Sequence, residues 1–264
     1  MRLYWEVART TARRMSSYRA ATLAGIFTNT VFGFILAYVM LAVFRERPTI
    51  GGFDSVDAVS FTFVAQGLYA MTVGNIGDIE VADRIRTGDV AVDLSRPYDF
   101  QAWWAAVAYG RAFFLALARG IPPVVVGAVA FGLRFPDAAW MWPAFALTVV
   151  LAAGVAFAWG FLLQLCAFWI LDVRGPNQIG WMAAQFLSGS FFPVVVFPDG
   201  IEQVVRALPF VAMVQLPIET FLGKHQGADL VGVLLTQVGW LVALVLVGRV
   251  VLARAVRKVV VHGG

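Results

Sequence analysis

The 264-residue sequence carries two lysines, two histidines and one cysteine, and only 14% of its residues are charged. Each scarcity removes a class of chemistry. A lone thiol, Cys166, supports neither an intrachain disulfide nor a thiolate metal site. A P-loop requires a glycine-rich turn ending in Gly-Lys-Ser/Thr. Lys258 precedes Val259, while Lys224 precedes His225 and Ile218 stands where the first glycine of such a loop belongs. The chain therefore has no P-loop of its own for ATP.

What the sequence has in excess is apolar residues, 60% of the total, with a mean hydropathy of +0.78. Soluble domains hold roughly 45–50% apolar and about 25% charged residues. The apolar residues fall into runs of about 20, the length that crosses a hydrocarbon core of about 30 Å. The expected fold is an all-α integral membrane protein with six spans, Ala20–Phe44, Ala58–Ile76, Ala112–Leu133, Trp142–Leu171, Gln178–Phe197 and Leu230–Leu252. The first run is too long for the core of a signal peptide, about 7–15 residues, and is expected to stay as a span.

The basic residues set the orientation. With the N-terminus inside, the inner segments hold Arg2, Arg9, Arg13, Arg14, Arg19, Arg84, Arg86, Arg96, Arg111, Arg174, Arg249, Arg254, Arg257 and Lys258. The outer segments hold Arg45, Arg47, Arg134, Arg206 and Lys224, and Arg119 falls within span three. This asymmetry places both termini in the cytoplasm and the chain in the inner cell membrane. The pI near 9.6 thus reflects topology, and nucleic acid is excluded because the basic residues form no single stripe. His225 and His262 fall on opposite sides of the membrane, which disfavours a shared metal. Ser188 and Ser190 lie at membrane depth without a histidine base, and all sixteen carboxylates fit loops or interfaces, so intramembrane proteolysis is not expected.

Along the chain, residues 1–19 set Tyr4, Val7, Ala8, Thr11, Met15 and Tyr18 against four arginines at helical spacing, which predicts an amphipathic interfacial helix. Pro122-Pro123 predicts a kink in span three, and Arg119 is expected to snorkel to the inner interface. Residues 77–111 form an inner segment in which Ile79, Ala82 and Ile85 share a stripe and Gly88 marks a helix stop before a second amphipathic piece. Ser188 to Gly200 closes span five. Ile201, Val204, Val205 and Leu208 then predict a short amphipathic helix within an outer cap, residues 198–229, ahead of span six, residues 230–252, and a cytoplasmic tail, residues 253–264.

Three of these stretches together resemble the permease subunits of ABC-2 type transporters, in particular the short six-span permeases encoded apart from their ATPase. They are the basic N-terminal helix leading to Tyr18-Arg-Ala-Ala-Thr-Leu-Ala-Gly25, the inner run Ile85-Arg-Thr-Gly-Asp-Val-Ala-Val-Asp-Leu-Ser-Arg-Pro97, and the outer run from Ser188-Gly-Ser-Phe-Phe-Pro193 to Leu208-Pro-Phe. The resemblance implies a single permease domain in which residues 1–19 are a connecting helix. Asp78–Pro97 would include a coupling helix that touches a separate cytoplasmic ATPase through Ile85, Gly88, Asp89, Leu94, Arg96 and Pro97. It also implies export, a dimer with a second copy or a sister permease, contact with membrane lipids, and ATP with magnesium bound only in the partner. Polar residues within spans, Thr62, Gln66, Asn75, Gln178, Gln185 and Ser188, are candidates for the translocation path, and equally for bonds between helices. The competing readings are an ion-gradient-driven secondary transporter or channel, and a membrane scaffold without transport.

Overall fold

A computed structural model describes residues 1–76, 79–170 and 172–262, with backbone alone for 258–262. Among the described residues it is all-helical, with no β-strand. Five helical stretches are long and apolar enough to cross a membrane: Arg19–Glu46, Ser55–Asn75, Phe100–Phe131, Met141–Phe168 and Ala228–Arg257.

The N-terminal helix α1 (Arg2–Met15) has the expected two faces, with Tyr4, Val7, Ala8, Thr11 and Met15 half-buried and its arginines exposed, but it is shorter than the expected 1–19 and Tyr18, beyond its end, is exposed. It lies along α6 (Phe100–Leu115) at backbone distance, because Gly110 removes the side chain that would overlap the Ala8 carbonyl. Replacing Gly110 with Leu overpacks this contact at a cost of about 1–3 kcal/mol. Limited trypsin digestion is then expected to cut at Arg9 and Arg13 well before it cuts the unaltered chain.

The centre of the bundle is α3 (Ser55–Tyr69), nearly every residue of which is buried. Against it pack α2 (Arg19–Glu46) and α7 (Ile121–Phe131), locked by an aromatic set in which Phe34 and Phe131 lie 5.6 Å from Phe63. Gly67 of α3 and Gly120 before α7 cross in backbone contact, as small residues allow in membrane bundles. The expected kink at Pro122-Pro123 is resolved without a break. A π-helical turn, Ala116–Gly120, joins α6 to α7, and the two prolines occupy the first turn of α7, where a missing N–H matters least.

On the other side α8 (Met141–Leu165) packs with α12 (Ala228–His262). Gln237 is fully buried on α12, and its amide donates to the carbonyls of Thr148 (3.0 Å) and Ala212 (2.9 Å). Gln101 donates similarly to the Val245 carbonyl at 3.3 Å. These side-chain bonds fix helix register where apolar packing alone would permit sliding.

Three boundaries differ from the sequence reading. The third apolar stretch starts at Phe100 instead of Ala112, because the Asp99 carboxylate caps the helix by accepting from the Ala102 N–H at 2.7 Å. Residues 100–111, assigned to the inner segment, are therefore helix. The expected fifth span, Gln178–Phe197, is α-helical only in α9 (Arg174–Leu187), with a single 3-10 turn at Val194–Val196, since Gly189 adopts φ +88° and Pro193 follows. Fourteen residues at 1.5 Å each fall short of a hydrocarbon core. The last helix runs to His262, through the expected tail. Leu171 and Asp78, two expected boundaries, lie outside the described residues.

Candidate functional site

The helix termini define two ends. At one end the Asp99 N–H donates to the Tyr4 hydroxyl at 3.1 Å and Asp99 pairs with Arg249 at 2.8 Å, tying α1, α6 and α12 together. The same end carries a hairpin of α4 (Val81–Thr87) and α5 (Val90–Ser95), joined at Gly88, whose φ of +83° is the left-handed stop that glycine adopts freely. Arg84 on α4 grips the buried Asp93 on α5 through two nitrogens, the Nη2 bond being 3.0 Å. Bidentate pairs of this kind fix geometry as well as adding energy.

The hairpin is also fixed to the bundle. The Ala82 N–H donates to the Gln164 side-chain carbonyl on α8 at 3.0 Å, and Ala82 packs with Ala167 and Val173, just ahead of α9. Of the residues expected to couple to a partner, Ile85 and Leu94 are half-buried and packed against the core, whereas Gly88, Asp89, Arg96 and Pro97 are exposed. Val92 joins the exposed group at 55%, an apolar side chain between charged neighbours. Sequence reasoning did not single it out, although its place opposite Leu94 and Val90 on a helix of period 3.6 is the available signal.

At the opposite end lie two charge clusters that sequence reasoning missed. Asp54 and Asp57 form a reciprocal cap on α3. Both also pair with Arg134, at 2.9 Å for Asp54, and Lys224 reaches Asp57 at 2.6 Å and the Gly52 carbonyl at 2.8 Å. The loops before α3, before α8 and before α12 are thereby joined. The second cluster centres on Glu219 of α11 (Gln215–Phe221), which is 2% exposed. It accepts from Arg206 at the end of α10 (Asp199–Arg206) at 2.8 Å and from Gln215 at 2.9 Å, and its other oxygen lies 2.9 Å from the His225 ring. Burial alone would raise the Glu219 carboxyl, but the bonds from His225, Arg206 and Gln215 and the charge of Arg206 hold it at about 2.

That depression links to stability. A folded value below the ordinary carboxylate value of 4.5 stabilises the fold above pH 4.5, and the contribution fades as pH falls toward 2. Thermal unfolding in detergent is expected to show this loss between pH 4.5 and 2 in the unaltered chain. A Glu219→Gln variant should show a shallower fall over the same range.

The candidate path residues scatter. Thr62 is buried and its hydroxyl bonds the Ala58 carbonyl of its own helix; the Gln66 carbonyl accepts from Asn29 at 3.2 Å. Gln185 is buried beside Tyr69 and Ser188 bonds Ser190 at 2.7 Å, whereas Gln178 is exposed and Asn75 half-buried. Two amide oxygens, Asn75 Oδ1 and Gln185 Oε1, are buried without a hydrogen-bond partner. The Arg119 guanidinium lies against Gly25 on α2, six residues into that helix.

A family model described as ABC-2 family transporter protein matches residues 27–263. The chain belongs to the ABC-2 transporter family. It is a multi-pass membrane component of that family, and the family's permeases are not themselves the ATPase. A search of curated proteins finds no match. The match leaves out α1, so the N-terminal helix rests on its own pattern and on its packing against α6.

Proposed function

We propose that this ABC-2 family chain is a permease subunit, driven by ATP hydrolysis in a separate P-loop ATPase that docks on the α4–α5 hairpin, and that it exports its cargo. The observation that carries this reading is the hairpin itself. It is braced internally by Arg84–Asp93 and joined to α8 through Gln164, yet its tip at Thr87, Gly88, Asp89 and Val92 is exposed. A push on such a tip moves α6, α8 and the start of α9 as a unit, the hinge or shear type of transition.

In this reading the hairpin end faces the cytoplasm, with both termini, and the Glu219 end faces outward, as the placement of the basic residues supports. A sixth crossing is proposed to consist of α9 and the irregular segment from Ser188 to Phe197, since Val173 packs at the hairpin end and Val195 lies against Gly51, in the loop before α3, at the other. Irregular backbone is tolerated at membrane depth where protein buries it, and residues 188–190 and 193–195 are buried.

A second copy or a sister permease would cover the exposed apolar face of α9, Ile179, Met182 and Phe186, and that of α2 around Phe27 and Ile35. The path is proposed to open when α9 moves relative to α3, exposing Thr62, Gln66, Asn75, Gln185 and Ser188 alongside the already exposed Gln178. The unbonded Asn75 and Gln185 oxygens support this, because buried acceptors without partners raise the free energy of the closed arrangement.

The test is purification of the tagged chain from its native membrane in mild detergent, with mass spectrometry of what accompanies it. A P-loop ATPase in stoichiometric amount is expected. Flux driven by an ion gradient through the reconstituted chain alone, with no ATPase recovered, would overturn the proposal in favour of a secondary transporter.

A further inference from the structure

Between α1, the first turns of α2 and the α6–π-turn junction lies a cleft of about 720 Å³. Its walls are apolar, including Leu3, Val7, Trp104 and Val107, and its positive charge comes from Arg14, Arg111 and Arg119. Two features mark it as a site for an anion. The Arg119 Nε is buried and has no hydrogen-bond partner among the described residues, an arrangement that native structures resolve with an unseen water, ion or ligand. Arg14 is exposed, and among the described residues no carboxylate lies within ion-pairing distance of it. The cleft also borders Glu6 and Glu80, both exposed, and Glu6 is 4.0 Å from Arg9.

The depth of the site identifies the kind of anion. Gly25, which receives the Arg119 guanidinium, is six residues from the start of α2, about 9 Å along the axis. That is the depth of the headgroup and upper acyl boundary, where interfacial helices insert by about 5–10 Å. We infer that this cleft binds the phosphate of an anionic phospholipid from the leaflet at the hairpin end, held by Arg119 and Arg14 with its acyl chains along the tryptophan-lined wall. Gly25 is part of the site, because any side chain there would displace the guanidinium. The inference requires only that the chain sits in a bilayer, and it does not depend on the ATPase reading.

The test is native mass spectrometry of the full chain, purified with whatever partners it retains, titrated with phosphatidylglycerol and phosphatidylcholine of identical acyl chains. Phosphatidylglycerol is expected to be retained at about tenfold lower concentration, because the fixed cation of choline offsets the phosphate charge and is repelled by the arginines of the cleft. Arg119→Gln should erase that preference. Arg14→Gln, at an exposed position where folding is not at stake, should weaken it, and Gly25→Ala should weaken it while keeping every charge. Inorganic phosphate at the same concentrations should leave the lipid bound. Equal retention of the two lipids, or unaltered retention by the Arg119→Gln and Arg14→Gln variants, would overturn the inference. Displacement by inorganic phosphate would make the site one for free phosphate and overturn the lipid assignment as well.

Discussion

Replacing Glu219 with Ala is expected to destabilise the chain by about 3–5 kcal/mol, the cost of removing one partner from a buried ion pair. The loss has a structural origin in three groups at once. Arg206, already half-buried, keeps only Glu202 at 2.7 Å, Gln215 loses an acceptor, and the His225 ring loses its carboxylate. Because α11 is buried on every side, water cannot readily replace the missing oxygens. Thermal unfolding followed by size-exclusion chromatography in detergent measures the effect. A double variant that also replaces Arg206 with Ala should lose less than the two single losses combined, since each removes the same interaction. Additive losses would mean that the pair is not the source of the stability.

Replacing Val92 with Asp is expected to abolish capture of the proposed ATPase while leaving the fold intact. Apolar anchors buried at the centre of an interface contribute at least about 2 kcal/mol, roughly 30-fold in affinity, and a carboxylate adds a desolvation cost. Val92 is exposed in the single chain, so its replacement touches no internal contact. The contrast is with Ile85→Asp and Leu94→Asp. Those side chains pack on the bundle, and their replacement is expected to lower yield and melting temperature as well as docking. The same expression level for Val92→Asp and the unaltered chain, with the ATPase lost, separates docking from folding.

Much of this architecture was legible in the residues. The stripe Tyr4, Val7, Ala8, Thr11 and Met15 gave α1 its buried face, because the helical period is independent of tertiary context, but the helix ends at Met15 and leaves the expected Tyr18 beyond it and exposed. Gly88 stopped α4 as expected, since only a residue without a Cβ takes φ +83° at no steric cost. The start of α6 was misplaced because hydropathy discounts Gln101 and Arg111, even though Pro97 followed by Asp99 is a helix-start signal in plain view. The short α9 was overextended for the opposite reason: Phe191, Phe192 and Val194–Val196 are apolar, so the run looks continuous across Gly189 and Pro193, which end the helix.

The charge clusters were the least legible part. Asp57, Arg134 and Lys224 are separated by 77 and 90 positions, and Glu219 appears from its neighbours to be an ordinary loop carboxylate. Only the fold brings them together. The coupling residues divide for a similar reason. A spacing argument identifies which residues share a face, as it did for Ile85 and Leu94, but which face the bundle covers is set by Gln164, Ala167 and Val173, elements distant in sequence.

A separate ATPase that works through the tip of the α4–α5 hairpin, as proposed, must touch Val92. The most direct measurement places a photo-crosslinking amino acid at position 92 and irradiates native membranes. One dominant adduct is expected, containing a P-loop ATPase, that is absent when the crosslinker sits at exposed Ile179 on α9. An intact, well-expressed chain that yields no ATPase adduct from position 92, or yields it equally from position 179, would contradict the proposal.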